Sequence, residues 1–107
     1  MAEVKSVVDK KIKEKKVMMF SKTTCPFCKM AKDVFNKLIQ DGELSTEDYE
    51  VIEIDEKPNC SAFQDYLQTL TGARTVPRVF VSGKCIGGGS EVVALNKEKK
   101  LVPLLKS

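Results

Sequence analysis

At 107 residues, with 42% apolar and 31% charged residues, the chain has room for one modest hydrophobic core, and a single domain over residues 1–107 is expected rather than a disordered or fibrous chain. The net charge of +3 comes from lysines and arginines interleaved with acids, without a nucleic-acid recognition motif, so solvated faces are expected and no nucleic-acid partner. No apolar run approaches the roughly 20 residues that span a bilayer, and the opening "MAEVKSVVDKKIKEKK" has no continuous apolar stretch of the signal-peptide kind, so a cytoplasmic protein without a membrane partner is expected.

Val4, Val7, Val8 and Ile12 recur at helical spacing and predict an amphipathic helix over about residues 3–15, lysines outward. "VMMFS" at 17–21 is short and apolar, as a buried strand is. Met30, Ala31, Val34, Phe35 and Leu38 then mark the apolar face of a helix that stops near Asp41 and Gly42. "QDGELSTED" reads as a polar connection, and "YEVIEID" from Tyr49 as a β-branched strand. Cys60, Phe63, Leu67 and Leu70 at 3-4-3 spacing predict a helix over about 59–71, ended by Gly72. "RVFV", "SG" and "KCI" make a strand, a tight turn and a strand, and helix returns over 92–97. The order α-β-α-β-α-β-β-α gives an α/β fold: a parallel strand pair with a crossover helix, extended by an antiparallel hairpin into a four-stranded mixed sheet.

The chemistry lies in "TTCPFCKM". Pro26 suits the first position of a helix, where a missing N–H costs nothing, and this makes Cys25 the N-cap. There the sulfur faces unpaired backbone N–H groups and the positive end of the helix dipole, with Lys22 three residues upstream, and all three favour a thiolate. Cys28, one turn further on, lies beside it and is expected to be less exposed, so the pair supplies an attacking and a resolving sulfur. Half of a zinc or iron–sulfur site is the alternative. The chain has no histidine, and Cys60 and Cys85 stand apart from each other, whereas closed four-cysteine sites come as two short-spaced pairs. Cys60 falls on an apolar helix face and reads as a small buried hydrophobe. Cys85 stays open between core residue and reactive thiol.

With C-x-x-C at a strand-to-helix junction, "TVP" at 75–77 and a glycine turn after the hairpin in "RTVPRVFVSGKCIGGGSE", the sequence resembles the dithiol glutaredoxins over nearly its whole length. The resemblance implies a thioredoxin-like fold and a cis bond before Pro77. Such a bond would leave the Val76 backbone open to pair, strand-like, with the cysteinyl part of glutathione. It also implies that Pro26 and Phe27 flank the reactive sulfur, that Lys22 and Gln64 hold the glycine carboxylate of glutathione, and that Thr75 and Val76 hold its middle. The γ-glutamyl end falls to Gly88, Ser90 and Glu91, the Glu91 carboxylate suiting the ammonium. By itself, Ser90 reads equally as a helix N-cap. Two residues depart from the family pattern: Phe27 replaces a common tyrosine, and Glu91 a frequent aspartate.

The activity implied is glutathione-dependent thiol–disulfide exchange on glutathione mixed disulfides and protein disulfides. Its partners would be glutathione, glutathionylated or disulfide-containing proteins and, through glutathione, glutathione reductase. Glutathione would be a co-substrate, with no bound metal, and the chain a monomer. Three other readings stand beside this one, and the third, a pure binding module, is hard to reconcile with a thiolate poised at a helix start. A thioredoxin-type reductase usually encloses Gly-Pro between its cysteines and lacks "GGSE", and an iron–sulfur carrier glutaredoxin tends to have a residue smaller than Pro26.

Overall fold

The structure, a computed structural model, describes residues 2–106. Its elements in chain order are α1 (Ala2–Glu14), β1 (Val17–Ser21), α2 (Pro26–Gln40), a 3-10 turn (Thr46–Asp48), β2 (Tyr49–Glu53), a second 3-10 turn (Ile54–Glu56), α3 (Cys60–Thr71), β3 (Arg78–Val81), β4 (Lys84–Gly87), α4 (Gly89–Lys97) and α5 (Leu101–Lys106). The strands form one sheet in the order β2-β1-β3-β4. β1 runs parallel to β2 and antiparallel to β3, and β3 antiparallel to β4.

The continuous apolar run of β1 is explained by its place. It is paired on both edges and covered on both faces, so every residue from Val17 to Ser21 is buried. Alternate side chains enter two separate cores. Val17 and Met19 join Ala31, Phe35 and Leu38 of α2, Val92 of α4 and Leu101 of α5. Met18 and Phe20 join Val4 and Val8 of α1 and Phe63, Tyr66 and Leu67 of α3. Helices therefore cover both faces of the mixed sheet, as in the thioredoxin-like α/β class. No helix among the described residues is long and apolar enough to cross a membrane.

Three details differ from the sequence reading. Val7, Met30 and Leu70 lie at helical spacing with core residues yet stay exposed, at 37%, 41% and 44%. Each sits at the margin of its apolar stripe, past the reach of the sheet, and the α3 stripe closes on Tyr66 instead of Leu70. The polar connection before β2 contributes one core residue, Leu44. The final helix begins at Gly89 rather than Val92, and α5 follows it. α5 is one short segment whose Pro103 masks its pattern, although proline is tolerated there in the first turn.

Candidate functional site

α2 opens as its sequence requires. Pro26 is its first residue and Cys25 its N-cap, in extended conformation (φ −99°, ψ 115°). The Cys25 Sγ accepts a hydrogen bond from the Cys28 backbone N–H at 3.1 Å. Its thiol also points at the Val76 carbonyl oxygen, 3.7 Å away. The first contact serves thiol and thiolate alike and strengthens with negative charge on sulfur; the second belongs to the protonated form. Cys25 is half-buried, Cys28 wholly buried, and both are free thiols.

Burial pushes the Cys28 thiol up to about 11, and its hydrogen bond with Cys25 adds to the rise. The backbone of Lys22 and the Ser21 hydroxyl, both hydrogen-bonded to it, pull the other way. Two thiols three residues apart are thus placed unequally, one at the surface and one kept protonated beneath it.

Of the other sequence-predicted residues, Val76 meets Cys25 directly and Gly88 meets the loop that carries Val76. Val76–Pro77 is a cis peptide, and Val76 takes no backbone hydrogen-bond partner among the described residues. A side chain on Gly88 would meet the Pro77 carbonyl oxygen at 3.1 Å, so the 75–77 loop lies against the glycine turn. A side chain on Gly89 would meet the Phe27 carbonyl oxygen at 2.6 Å, so the start of α4 lies against the Cys25–Cys28 turn. Gly87 supplies the left-handed backbone, φ +118°, that turns β4 toward α4. Phe27, between the two cysteines, is 53% exposed.

Lys22 lies three residues before Cys25. Its carbonyl accepts the Cys25 N–H at 3.3 Å, and its ammonium makes no ion pair within 4 Å among the described residues. Gln64 sits on α3, where its amide nitrogen donates to the Arg74 carbonyl at 3.1 Å and its oxygen accepts from the Cys60 thiol at 3.8 Å. It therefore ties the loop that carries Thr75 to α3, with one amide hydrogen left over. Thr75 itself is exposed.

The N-cap alternative for Ser90 does not hold. Gly88 is the N-cap of α4, and Ser90 is the second helical residue, exposed, because the helix starts one turn earlier than its first apolar residue. Glu91 closes the turn instead, its Oε1 accepting the Gly88 N–H at 2.6 Å.

Two contributors escaped the sequence reading. Asp55, just past β2, accepts from both the N–H and the hydroxyl of Thr23 and so anchors the loop leading to Cys25. The Thr23 hydroxyl holds the Asp55 carboxyl below the usual carboxylate range. Gly89 is the other, and its only signal was the glycine run. Gly89→Ala forces a methyl against backbone, which cannot swing aside. Overpacking of this kind costs about 1–3 kcal/mol, and turnover is expected to fall about tenfold as the Phe27 turn shifts. Thermal melting and steady-state turnover check this; values unchanged in both would show that α4 does not brace the turn.

Cys60 packs half-buried against the α1–α3 core, as a small hydrophobe does. Cys85 opens on a concavity of about 820 Å³ between α1, the end of α3 and the β3–β4 hairpin, which shares no wall with the Cys25 site.

Comparison with known proteins agrees with this arrangement. The Glutaredoxin family model matches residues 17–86, from β1 through β4. Glutaredoxin-1 of Homo sapiens is 44% identical over 100 residues, covering 92% of this chain and 90% of that protein. Among solved structures, oxidized glutaredoxin 2 from Chlamydomonas reinhardtii superposes with a TM-score of 0.87 at 37% identity, over 98% of this chain and 92% of that one. A buckwheat glutaredoxin–glutathione complex gives 0.85 at 34% identity, over 98% and 89%. The matched span contains both cysteines of the α2 start and the 75–77 loop that faces them, and the chain belongs to the glutaredoxin family of thioredoxin-like oxidoreductases, in its dithiol class.

Proposed function

We propose that this glutaredoxin reduces glutathione mixed disulfides and protein disulfides through Cys25-Pro26-Phe27-Cys28, with glutathione as co-substrate and no resident metal. The observation that carries the reading is the Cys25 sulfur, partly open to solvent at a helix N-cap, with the Cys28 N–H 3.1 Å away and the Val76 backbone opposite. The buckwheat relative, described as a complex with glutathione, supports the choice of thiol.

The Cys25 thiolate attacks the glutathione sulfur of a mixed disulfide. A Cys25–glutathione disulfide forms, the old S–S bond breaks, and the target leaves as a thiolate that takes a proton from water. A second glutathione thiolate attacks the bound glutathione sulfur, and glutathione disulfide leaves as the bonding pair returns to Cys25. On a protein disulfide, Cys25 first forms a mixed disulfide with one target sulfur as the other leaves as a thiolate. Cys28 then loses its proton to water and attacks the Cys25 sulfur, the Cys25–target bond breaks, and the target leaves as its second thiolate. The internal disulfide so formed is reduced by two glutathiones, which leave as glutathione disulfide. The free Lys22 ammonium suits the glycine carboxylate and the Val76 backbone the cysteinyl unit. Gly88, Ser90 and Glu91 suit the γ-glutamyl end, while Gln64 positions Thr75. A cytoplasmic monomer, coupled to glutathione reductase through glutathione, completes the reading, with glutathionylated and disulfide-bearing proteins as its partners and neither nucleic acid nor membrane among them.

The test is turnover of a small glutathione mixed disulfide with reduced glutathione, NADPH and glutathione reductase. Saturable turnover that depends on glutathione is expected. No turnover there, with insulin reduction driven by thioredoxin reductase, would make the protein a thioredoxin-type carrier.

A further inference from the structure

Arg78 is the first residue of β3, immediately after the cis-proline loop, and is half-buried. A guanidinium carries five N–H donors. One, on Nε, is taken by the Pro77 carbonyl oxygen at 3.0 Å. Among the described residues no other side-chain hydrogen bond of Arg78 is found and no ion pair within 4 Å. The free end lies beside the glycine turn: a side chain built on Gly88 would meet Arg78 Nη2 at 2.8 Å and Glu91 Oε1 at 3.4 Å. The guanidinium thus lies flush against the glycine that joins β4 to α4, within reach of the Glu91 carboxylate yet unpaired with it, because Oε1 of Glu91 is held by the Gly88 N–H.

We propose that Arg78 is a specificity-determining residue of the glutathione site, whose free guanidinium donors receive the α-carboxylate of the γ-glutamyl unit beside Gly88. This inference rests on the glutathione reading above and adds to it the basis for preferring a γ-glutamyl thiol. The charges of the ligand are then met at both ends, Lys22 for the glycine carboxylate and Arg78 for the γ-glutamyl carboxylate, with Glu91 between Arg78 and the ligand ammonium. The geometry explains why glycine stands at position 88, where φ is an ordinary −110°. A methyl there displaces Arg78, whose far end is flexible, before it disturbs backbone.

The experiment compares two mixed disulfides of one target peptide, made with glutathione and with cysteinylglycine, which lacks the γ-glutamyl unit. For Arg78→Met, kcat/KM on the glutathione substrate is expected to fall about tenfold, carried by KM, as loss of one charge-assisted contact implies. On the cysteinylglycine substrate it is expected to stay within about twofold. Arg78→Lys, which keeps the charge but not the fork, is expected to fall between. Equal losses on both substrates would reduce Arg78 to a prop for the Pro77 carbonyl and overturn the proposal, as would unchanged selectivity in both Arg78 variants. If Arg78→Met does not fold, Arg78→Lys and Arg78→Gln decide by the same comparison of the two substrates. Wild-type protein inactive on the glutathione substrate would instead sink the glutathione reading itself.

Discussion

Cys25→Ser is expected to lower turnover of mixed disulfides and of protein disulfides together, by about a thousandfold or more. The loss is chemical rather than structural. Serine is among the best N-cap residues, so its hydroxyl can accept the Cys28 N–H in place of sulfur, and α2 should start as before. An alcohol oxygen is neither ionised near neutral pH nor able to form a disulfide. No neighbouring thiol can take over: Cys28 is wholly buried and its thiol is pushed up to about 11, so it is held protonated near neutral pH. An unchanged melting temperature beside the lost activity would complete the result. Residual turnover above about one hundredth of wild type would place the nucleophile elsewhere.

What the sequence disclosed and what it hid divide along physical lines. Local signals were legible: proline one position after Cys25 fixed the N-cap, Gly72 ended α3 in a left-handed C-cap (φ +82°), and Ser82-Gly83 made the hairpin turn with both residues at positive φ. Helical spacing located α1, α2 and α3, and a short apolar run, β-branched content and a hairpin turn located the four strands. Contacts between segments distant in the chain were not legible. Nothing local to Asp55 says that its carboxylate will hold Thr23, and nothing local to Gly89 says that it will rest on the Phe27 carbonyl. The assignment of Gln64 to the site rested on resemblance alone, and its hydrogen bond to Arg74 depends on how the 73–76 loop folds back on α3. The edges of apolar stripes were ambiguous for the same reason: Val7, Met30 and Leu70 sit on the helical period, but burial depends on how far the opposing sheet extends.

Cys28→Ser is expected to separate the two activities. Reduction of a small glutathione mixed disulfide uses only Cys25 and incoming glutathione, so it should stay within about threefold of wild type. Reduction of a protein disulfide needs an intramolecular attack to expel the bound target, and it should fall about a hundredfold, since external glutathione replaces a thiol held beside the bond. Serine at this position meets the groups that already face the sulfur, the Ser21 hydroxyl and the Lys22 backbone, so the buried hydroxyl finds partners. A pH profile supplies a second readout. The Cys28 thiol is raised, so near neutrality it is mostly protonated, and its reactive thiolate increases with pH. In wild type the resolving step, followed as release of target from the Cys25 mixed disulfide in a rapid-mixing experiment, should accelerate about tenfold per pH unit between pH 6 and 8. In the serine variant that phase should be absent. Equal loss of both activities, or a resolving step flat across this range, would mean that burial of Cys28 serves packing and that Cys25 works without it.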